Sequence, residues 1–296
     1  MRDGSTAIVW FRRDLRLADN PALAAACEQA DRVVALYIHP PDEEGDWQPG
    51  AASRWWLHHS LERLTVALRA RGAALHIRRG PTLHALLAVA RETGATQVFW
   101  NRLYEPAITA RDARVAAGLD EAGLLVESFN AALIVEPWEM RTAQGGPYRV
   151  FTPFWRSCSA SVASQPRPQP APARIAGAVV TAPGLALGEL ELLPRVRWDA
   201  GLAAAWTPGE QGALDRLEAF CEQALAGYNE GRNRPDLPDT SRISPHLHFG
   251  EIGPRQCLAA VRNAQVDRPG AGPGAETFLR EIGWREFAHH LLHHFP

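Results

Sequence analysis

The first 130 residues alternate between two hydrophobic periods. Short apolar runs occur in AIVWFRRDLRL (7–17), DRVVALYIHP (31–40), AALHIRR (73–79), TQVFWNR (96–102) and LLVESFN (124–130). Their length and their valine, isoleucine and aromatic content are those of buried strands. Helix-forming stretches lie between them, starting at Pro21 and covering 53–72, 81–94 and 107–123. Asp19 or Asn20 can cap the first, with Pro21 in its opening turn. Strands alternating with helices predict an α/β fold, a Rossmann-like, doubly wound parallel sheet of five strands with helices on both faces.

Beyond residue 130 the alternation stops. A connector over 131–206 includes the proline- and alanine-rich SQPRPQPAPARIAG, with little helical periodicity. A second domain follows over 207–296. Leu214, Leu217, Phe220, Cys221 and Leu225 mark an amphipathic helix in 209–228. Ser244 and Pro245 read as a cap and first residue of another, and PRQCLAAVRNAQ as a third. A glycine-rich loop, DRPGAGPGAE, then leads to ETFLREIGWREFAHHLLHHFP. With no strand pattern in it, this domain is expected to be all helical.

Composition narrows the class without changing that picture. A hydrophobic fraction of 46% and a charged fraction of 22% are ordinary for a globular chain. No membrane span is visible, and MRDGST leads into the first strand without the apolar core of a signal peptide, so a cytoplasmic location is expected. Cys27, Cys158, Cys221 and Cys257 form no CxxC pair, which argues against zinc and disulfides alike. A net charge of −2 means that any nucleic-acid binding has to rest on a local basic patch.

Candidate chemistry falls in two places. The carboxyl ends of the predicted strands carry Arg12, Arg13, Asp14, His39 and Asn101 to Glu105, where open α/β sheets bind ligands. No GxGxxG follows the first strand and no GxxxxGK[ST] is present, which disfavours dehydrogenases and P-loop enzymes. The second place is Tyr228–Gly253. Thr240, Ser241, Arg242 and the helix start at Ser244 offer hydroxyls, a guanidinium and free amides suited to a phosphate. On the last helix, Phe278, Glu281, Trp284 and Arg285 share one stripe. His289, His290, His293 and His294 have i, i+4 spacing but lack the HExxH context, and no metal site is predicted.

WFRRDLRLADNPAL, SRWWLHHSL, NRLYEP, VFTPFWR, TSRISPHLHFGEIGPRQCL and FLREIGWREFAHHLLHHFP, in this order, resemble the photolyase and cryptochrome family. Within it the chain is most similar to class I cyclobutane pyrimidine dimer photolyases. The resemblance implies an antenna domain over 1–130 and the start of a helical FAD-binding domain. Flavin contacts are implied at Tyr228, Thr240, Ser241, Arg242, Ile243, Ser244, Phe278 and Arg285. Damaged DNA is the implied partner of a monomer. Arg232, Glu281, Trp284 and Arg285 would face it, with Glu281 and Trp284 carrying the catalytic contacts to the lesion. Two departures accompany the resemblance. Ala107 and Ile108 replace the asparagine and glutamate that hold a methenyltetrahydrofolate antenna, so that antenna is not expected and the second chromophore stays open. Family members also continue past the position of Pro296, so the chain is read as truncated, holding FAD weakly or not at all and repairing nothing alone. A blue-light cryptochrome is the alternative, and a (6-4) photolyase a further one, kept by His246 and His248.

Overall fold

The computed structural model describes residues 4–43 and 48–296; the start of the polar lead MRDGST lies outside them. The chain runs β1 (Thr6–Phe11), α1 (Pro21–Gln29), β2 (Arg32–His39), α2 (Ala51–Ala70), β3 (Leu75–Arg79), α3 (Thr82–Thr93), β4 (Gln97–Asn101), α4 (Pro106–Glu121) and β5 (Leu125–Phe129). It continues with α5 (Phe151–Ala163), α6 (Ala200–Ala205), α7 (Glu210–Gln223), α8 (Tyr228–Gly231), α9 (Ser244–His248), α10 (Pro254–Asp267) and α11 (Gly272–His294). The strands form one parallel sheet in the order β3-β2-β1-β4-β5. Side chains of β1 alternate strictly. Ala7, Val9 and Phe11 enter a core with α1 and α2, while Ile8 and Trp10 enter the opposite core with α3 and α4. Asn20 caps α1 by accepting from the Leu23 amide at 3.1 Å, with Pro21 as the first helical residue.

The later elements depart from the expected pattern in three ways. The connector contains a helix, α5, whose Phe151, Phe154, Cys158 and Val162 pack into the helical core. That apolar stripe was masked by the proline-rich run that follows it. The rest of the connector binds the sheet: Val33 pairs with Gly177, and Leu185 donates to Ile77 at 3.0 Å. Finally, α11 begins inside the glycine-rich stretch. A Cβ at Gly274 would stand 1.7 Å from the Leu225 carbonyl oxygen, so glycine serves close helix packing there.

One dense set of contacts joins the sheet half to the helical half. The loop after β1 lies against the turn that follows α9. Arg16, 1% exposed, donates through Nε to Ala18 O (3.0 Å), through Nη1 to Gly250 O (2.9 Å) and through Nη2 to Asp19 O (2.7 Å) and Ala131 O (2.9 Å). Leu15 N donates to Phe249 O at 3.1 Å, and Glu210 accepts from Leu17 N (2.9 Å) and Ala18 N (2.8 Å). Glu251 has no exposed surface; it accepts from Trp56 Nε1 (2.9 Å), Gly209 N (2.6 Å) and Ser60 Oγ, and pairs with His246 Nδ1. These groups are paired and, apart from the partly buried Glu210 and Ala18, buried, so removing one partner leaves another uncompensated.

Gly250 is the tightest point. Its φ is +63°, and a Cβ there would lie 2.1 Å from the Arg13 carbonyl oxygen. Gly94, with φ +66°, has open space around it. Gly94→Ala is expected to cost about 1–2 kcal/mol, the left-handed penalty alone. Gly250→Ala is expected to cost clearly more, roughly 3 kcal/mol or above, because the docked loop has to move. Urea unfolding of the two variants checks this; equal losses would contradict it.

Candidate functional site

The sheet order reverses between β1 and β4, and the carboxyl ends of these strands open onto a cavity of about 790 Å³. Trp10, Tyr37, Arg12, Arg13 and Arg111 line it from the sheet half, and His248, Phe249 and Leu292 from the helical half. Most of its charge is already neutralised. Arg12, over the Trp10 ring at 4.4 Å, pairs with Asp112, which also accepts from Arg111 at 2.8 Å. Arg13 pairs with Glu105 at 2.6 Å. Ala107 and Ile108 form part of the wall. Other residues of the strand-end motifs are structural: Asn101 Nδ2 donates to Asp14 (2.6 Å) and Asn20 (2.7 Å), and Arg102 and Tyr104 both donate to Glu136.

The second cluster lies on the helical half. Tyr228 and Phe278 are buried together against Phe220, with centroids 5.7 Å apart from each other and 5.2 and 4.9 Å from that ring. Arg232 reaches over Tyr228 at 5.9 Å and pairs with Glu281, and both members of the pair are about one third exposed (32% and 33%). One turn on, Trp284 is 46% exposed and stacks on Phe151 at 3.7 Å with an interplanar angle of 10°. Ile243 belongs to the same apolar core as Tyr228 and Phe278. The run 240–244 alternates: Thr240, Arg242 and Ser244 are exposed, Ser241 and Ile243 buried. Its outward hydroxyls and guanidinium are a donor set that fits a pyrophosphate.

Several positions differ from the sequence reading. Ser244 is the first residue of α9 and makes no capping hydrogen bond; Ile243 occupies the cap, because the buried Ile243 side chain anchors the turn. Arg285 faces away from the Glu281–Trp284 face. Its Nη1 donates to Ala132 O at 2.6 Å, and burial pulls its pKa down. His246 is buried against Glu251 and is closed to any pocket, whereas His248 lines the interdomain cavity. His290 accepts the Tyr148 amide at Nε2 (3.0 Å) and donates from Nδ1 to Pro137 O (3.1 Å), so both its nitrogens are engaged. No group of three metal-ligating side chains comes together among the described residues, and no helix among them is long and apolar enough to cross a membrane.

The DNA photolyase family model matches residues 7–173, more than half of the chain. This chain belongs to the DNA photolyase family. It is 43% identical to the deoxyribodipyrimidine photo-lyase of Agrobacterium fabrum over 98% of its own length and 59% of that protein. Against Cryptochrome-1 of Arabidopsis thaliana the identity is 39%, over 99% of this chain and 44% of the relative. The crystal structure of a bacterial class III photolyase from Agrobacterium tumefaciens matches with a TM-score of 0.93 and 40% identity, over 100% of this chain and 60% of that one. The chain thus spans about three fifths or less of these relatives. That structure is of class III, so the class I branch read from the motifs does not follow from it.

One buried acid of this photolyase-family chain, Glu286, lies outside the expected site residues although it adjoins them. Glu286 sits beside the Trp284–Arg285 pair, and its Oε2 accepts from Ile134 N (2.8 Å) and Val135 N (3.3 Å). Its Oε1 is buried without a hydrogen-bond partner, 3.7 Å from Arg285 Nη1. Only its place between charged and aromatic residues on an inward helix face could have signalled it. Burial pushes this carboxyl up to about 7, from an ordinary 4.5. Between those values the folded chain keeps a proton that the unfolded chain has released, so stability falls as pH rises through the window. Glu286→Gln keeps an acceptor for both amides but does not titrate. Relative to the parent, it is expected to gain about 2–3 kcal/mol between pH 5 and pH 8 in urea unfolding. Parallel stability curves would contradict the burial of an ionisable group at this point.

Proposed function

We propose that this chain forms the sheet domain and the first flavin- and lesion-binding helices of a light-dependent photolyase that repairs cyclobutane pyrimidine dimers in DNA, a carbon–carbon lyase. Residues 1–130 are its antenna domain, 131–206 the connector and 207–296 part of the FAD-binding domain. The observation that carries the reading is the exposed Trp284, backed on one face by Phe151 and set one turn from the Glu281–Arg232 pair. A lesion must leave the duplex to be reached, and a damaged, poorly stacked pair costs least to extrude. Trp284 offers it a stacking wall, and Glu281 a hydrogen-bonding carboxylate that Arg232 holds in place. Arg232 can exchange that carboxylate for a DNA phosphate.

Thr240, Ser241, Arg242, Ile243 and Ser244 hold the FAD pyrophosphate through hydroxyls, amides and guanidinium, with Tyr228 and Phe278 supporting the ring side. Arg285, engaged with Ala132, positions the wall between flavin and connector. Reduced FAD, when bound, supplies light-driven one-electron chemistry, and the protein supplies position and exclusion of water. The interdomain cavity suits a second, planar chromophore between Trp10, Tyr37 and Phe249. The apolar Ala107 and Ile108 in its wall argue against a methenyltetrahydrofolate antenna there. Repair of the cyclobutane dimer is the reading for either the class I or the class III branch.

The second reading is a blue-light cryptochrome, favoured by the 39% identity to Cryptochrome-1. Of the two histidines that keep the (6-4) alternative, His246 is closed off by Glu251 and His248 lines the cavity at the sheet. Binding to an oligonucleotide with one thymine dimer, compared in the dark with the undamaged strand by fluorescence anisotropy, separates dimer repair from photoreception. Repair predicts tighter binding to the dimer, weakened by Trp284→Ala roughly 5- to 150-fold, the factor equivalent to about 1–3 kcal/mol of stacking. Equal affinity for both strands, or no effect of the substitution, would favour the photoreceptor.

A further inference from the structure

Trp206 ends the connector just after α6, where its amide donates to Leu202 O at 2.9 Å. Trp56 meets its indole edge-on, 5.4 Å between centroids at 67°, and Trp56 is itself tied to the buried Glu251. Arg242 lies over the Trp206 ring, its guanidinium carbon 4.2 Å from the centroid. Cations within about 6 Å of an indole face are attracted by its quadrupole. The Arg242 side chain makes no ion pair or hydrogen bond among the described residues, so the ring is what engages it. Its backbone is left-handed, with φ at +51°. A residue with a Cβ disfavours that region, and it persists only where its surroundings hold it.

We infer that Trp206 is a positioning residue: its indole holds Arg242 and thereby sets the backbone of residues 240–244. The left-handed Arg242 is followed by Ile243 in the helical region (φ −92°, ψ −8°), so the chain turns here into α9. This turn accompanies Thr240 and Ser244 facing outward while Ser241 and Ile243 stay in the core. The support for the run therefore comes from the connector and, through Trp56, from the sheet half. The functional meaning rests on reading 240–244 as the flavin-side run; the positioning itself does not.

A double-mutant cycle of Trp206→Ala and Arg242→Ala, read by hydrogen–deuterium exchange of peptides covering 240–244 in the flavin-free chain, tests it. Each single change is expected to speed exchange roughly 5- to 30-fold, the factor equivalent to about 1–2 kcal/mol of cation–ring attraction. The double variant is expected to be no faster than the faster single one, because both remove the same contact. Multiplying effects, or unchanged exchange in Trp206→Ala, would overturn the inference. Should Trp206→Ala fail to fold, Trp206→Phe keeps a ring against Trp56 with a weaker hold on the cation. It is expected to speed exchange of this run alone, and unchanged exchange overturns the inference equally. Arg242→Gly, which tolerates φ near +50°, is expected to disturb the run less than Arg242→Ala. FAD titration of the same proteins forms a separate arm. FAD uptake by the parent that Arg242→Ala leaves unchanged counts against the flavin reading, while the cycle alone decides the role of Trp206.

Discussion

A single buried guanidinium holds the two halves of this molecule in register. Arg16 donates to four carbonyl oxygens, three of them on the sheet half or its exit (Ala18, Asp19, Ala131) and one, Gly250, on the helical half. A buried charge is tolerable only when its donors are satisfied. The turn after α9 therefore has to arrive with its carbonyl at one place, and Gly250 is the residue that allows the approach. Glu210 and Glu251 repeat the logic with the opposite sign: each carboxylate accepts from groups of the other half. Docking is thus specified by polar groups whose hydrogen bonding is completed by the other half.

Both candidate sites depend on that register. The cavity at the switch point of the sheet is closed on one side by His248, Phe249 and Leu292, which belong to the helical half. The Glu281–Trp284 face depends on α11, whose buried side holds residues 132–148 through Arg285, Glu286 and His290. The same helix thus shows an exposed acid and aromatic on one side and a polar grip on the connector on the other. The cavity and the Glu281–Trp284 face are thus set relative to each other by the Arg16 loop.

Much of this was legible in the chain. The five strands, their helices and the parallel sheet follow from period and length, because tertiary packing in a doubly wound sheet reinforces local preference. On α11 the i, i+3 pairing of Glu281 and Trp284 was readable, whereas Phe278 turns into the core and Arg285 toward Ala132. What escaped were features fixed by long-range contact. Arg12, Arg13 and Arg16 look alike in RRDLR, yet the first braces Trp10, the second pairs with Glu105, and the third joins the halves. The helix α5 was hidden because its apolar face adjoins a proline-rich run. The glycines of DRPGAGPGAE read as a loop until the Leu225 carbonyl beside Gly274 is seen. The left-handed Arg242 carries no local signature and the buried Glu286 only its place on an inward helix face, since neighbours distant in sequence create both.

Native-state amide exchange at Leu15, Leu17 and Ala18 tests the docking most directly. Their amides donate to Phe249 and Glu210 across the junction, so in a single docked unit they open only when the whole chain unfolds. The predicted result is exchange as slow as that of Ile8 and Val9 in β1. Exchange at these three amides by a separate, lower-energy opening, with β1 still protected, would contradict it and leave the cavity and the α11 face without a fixed relation.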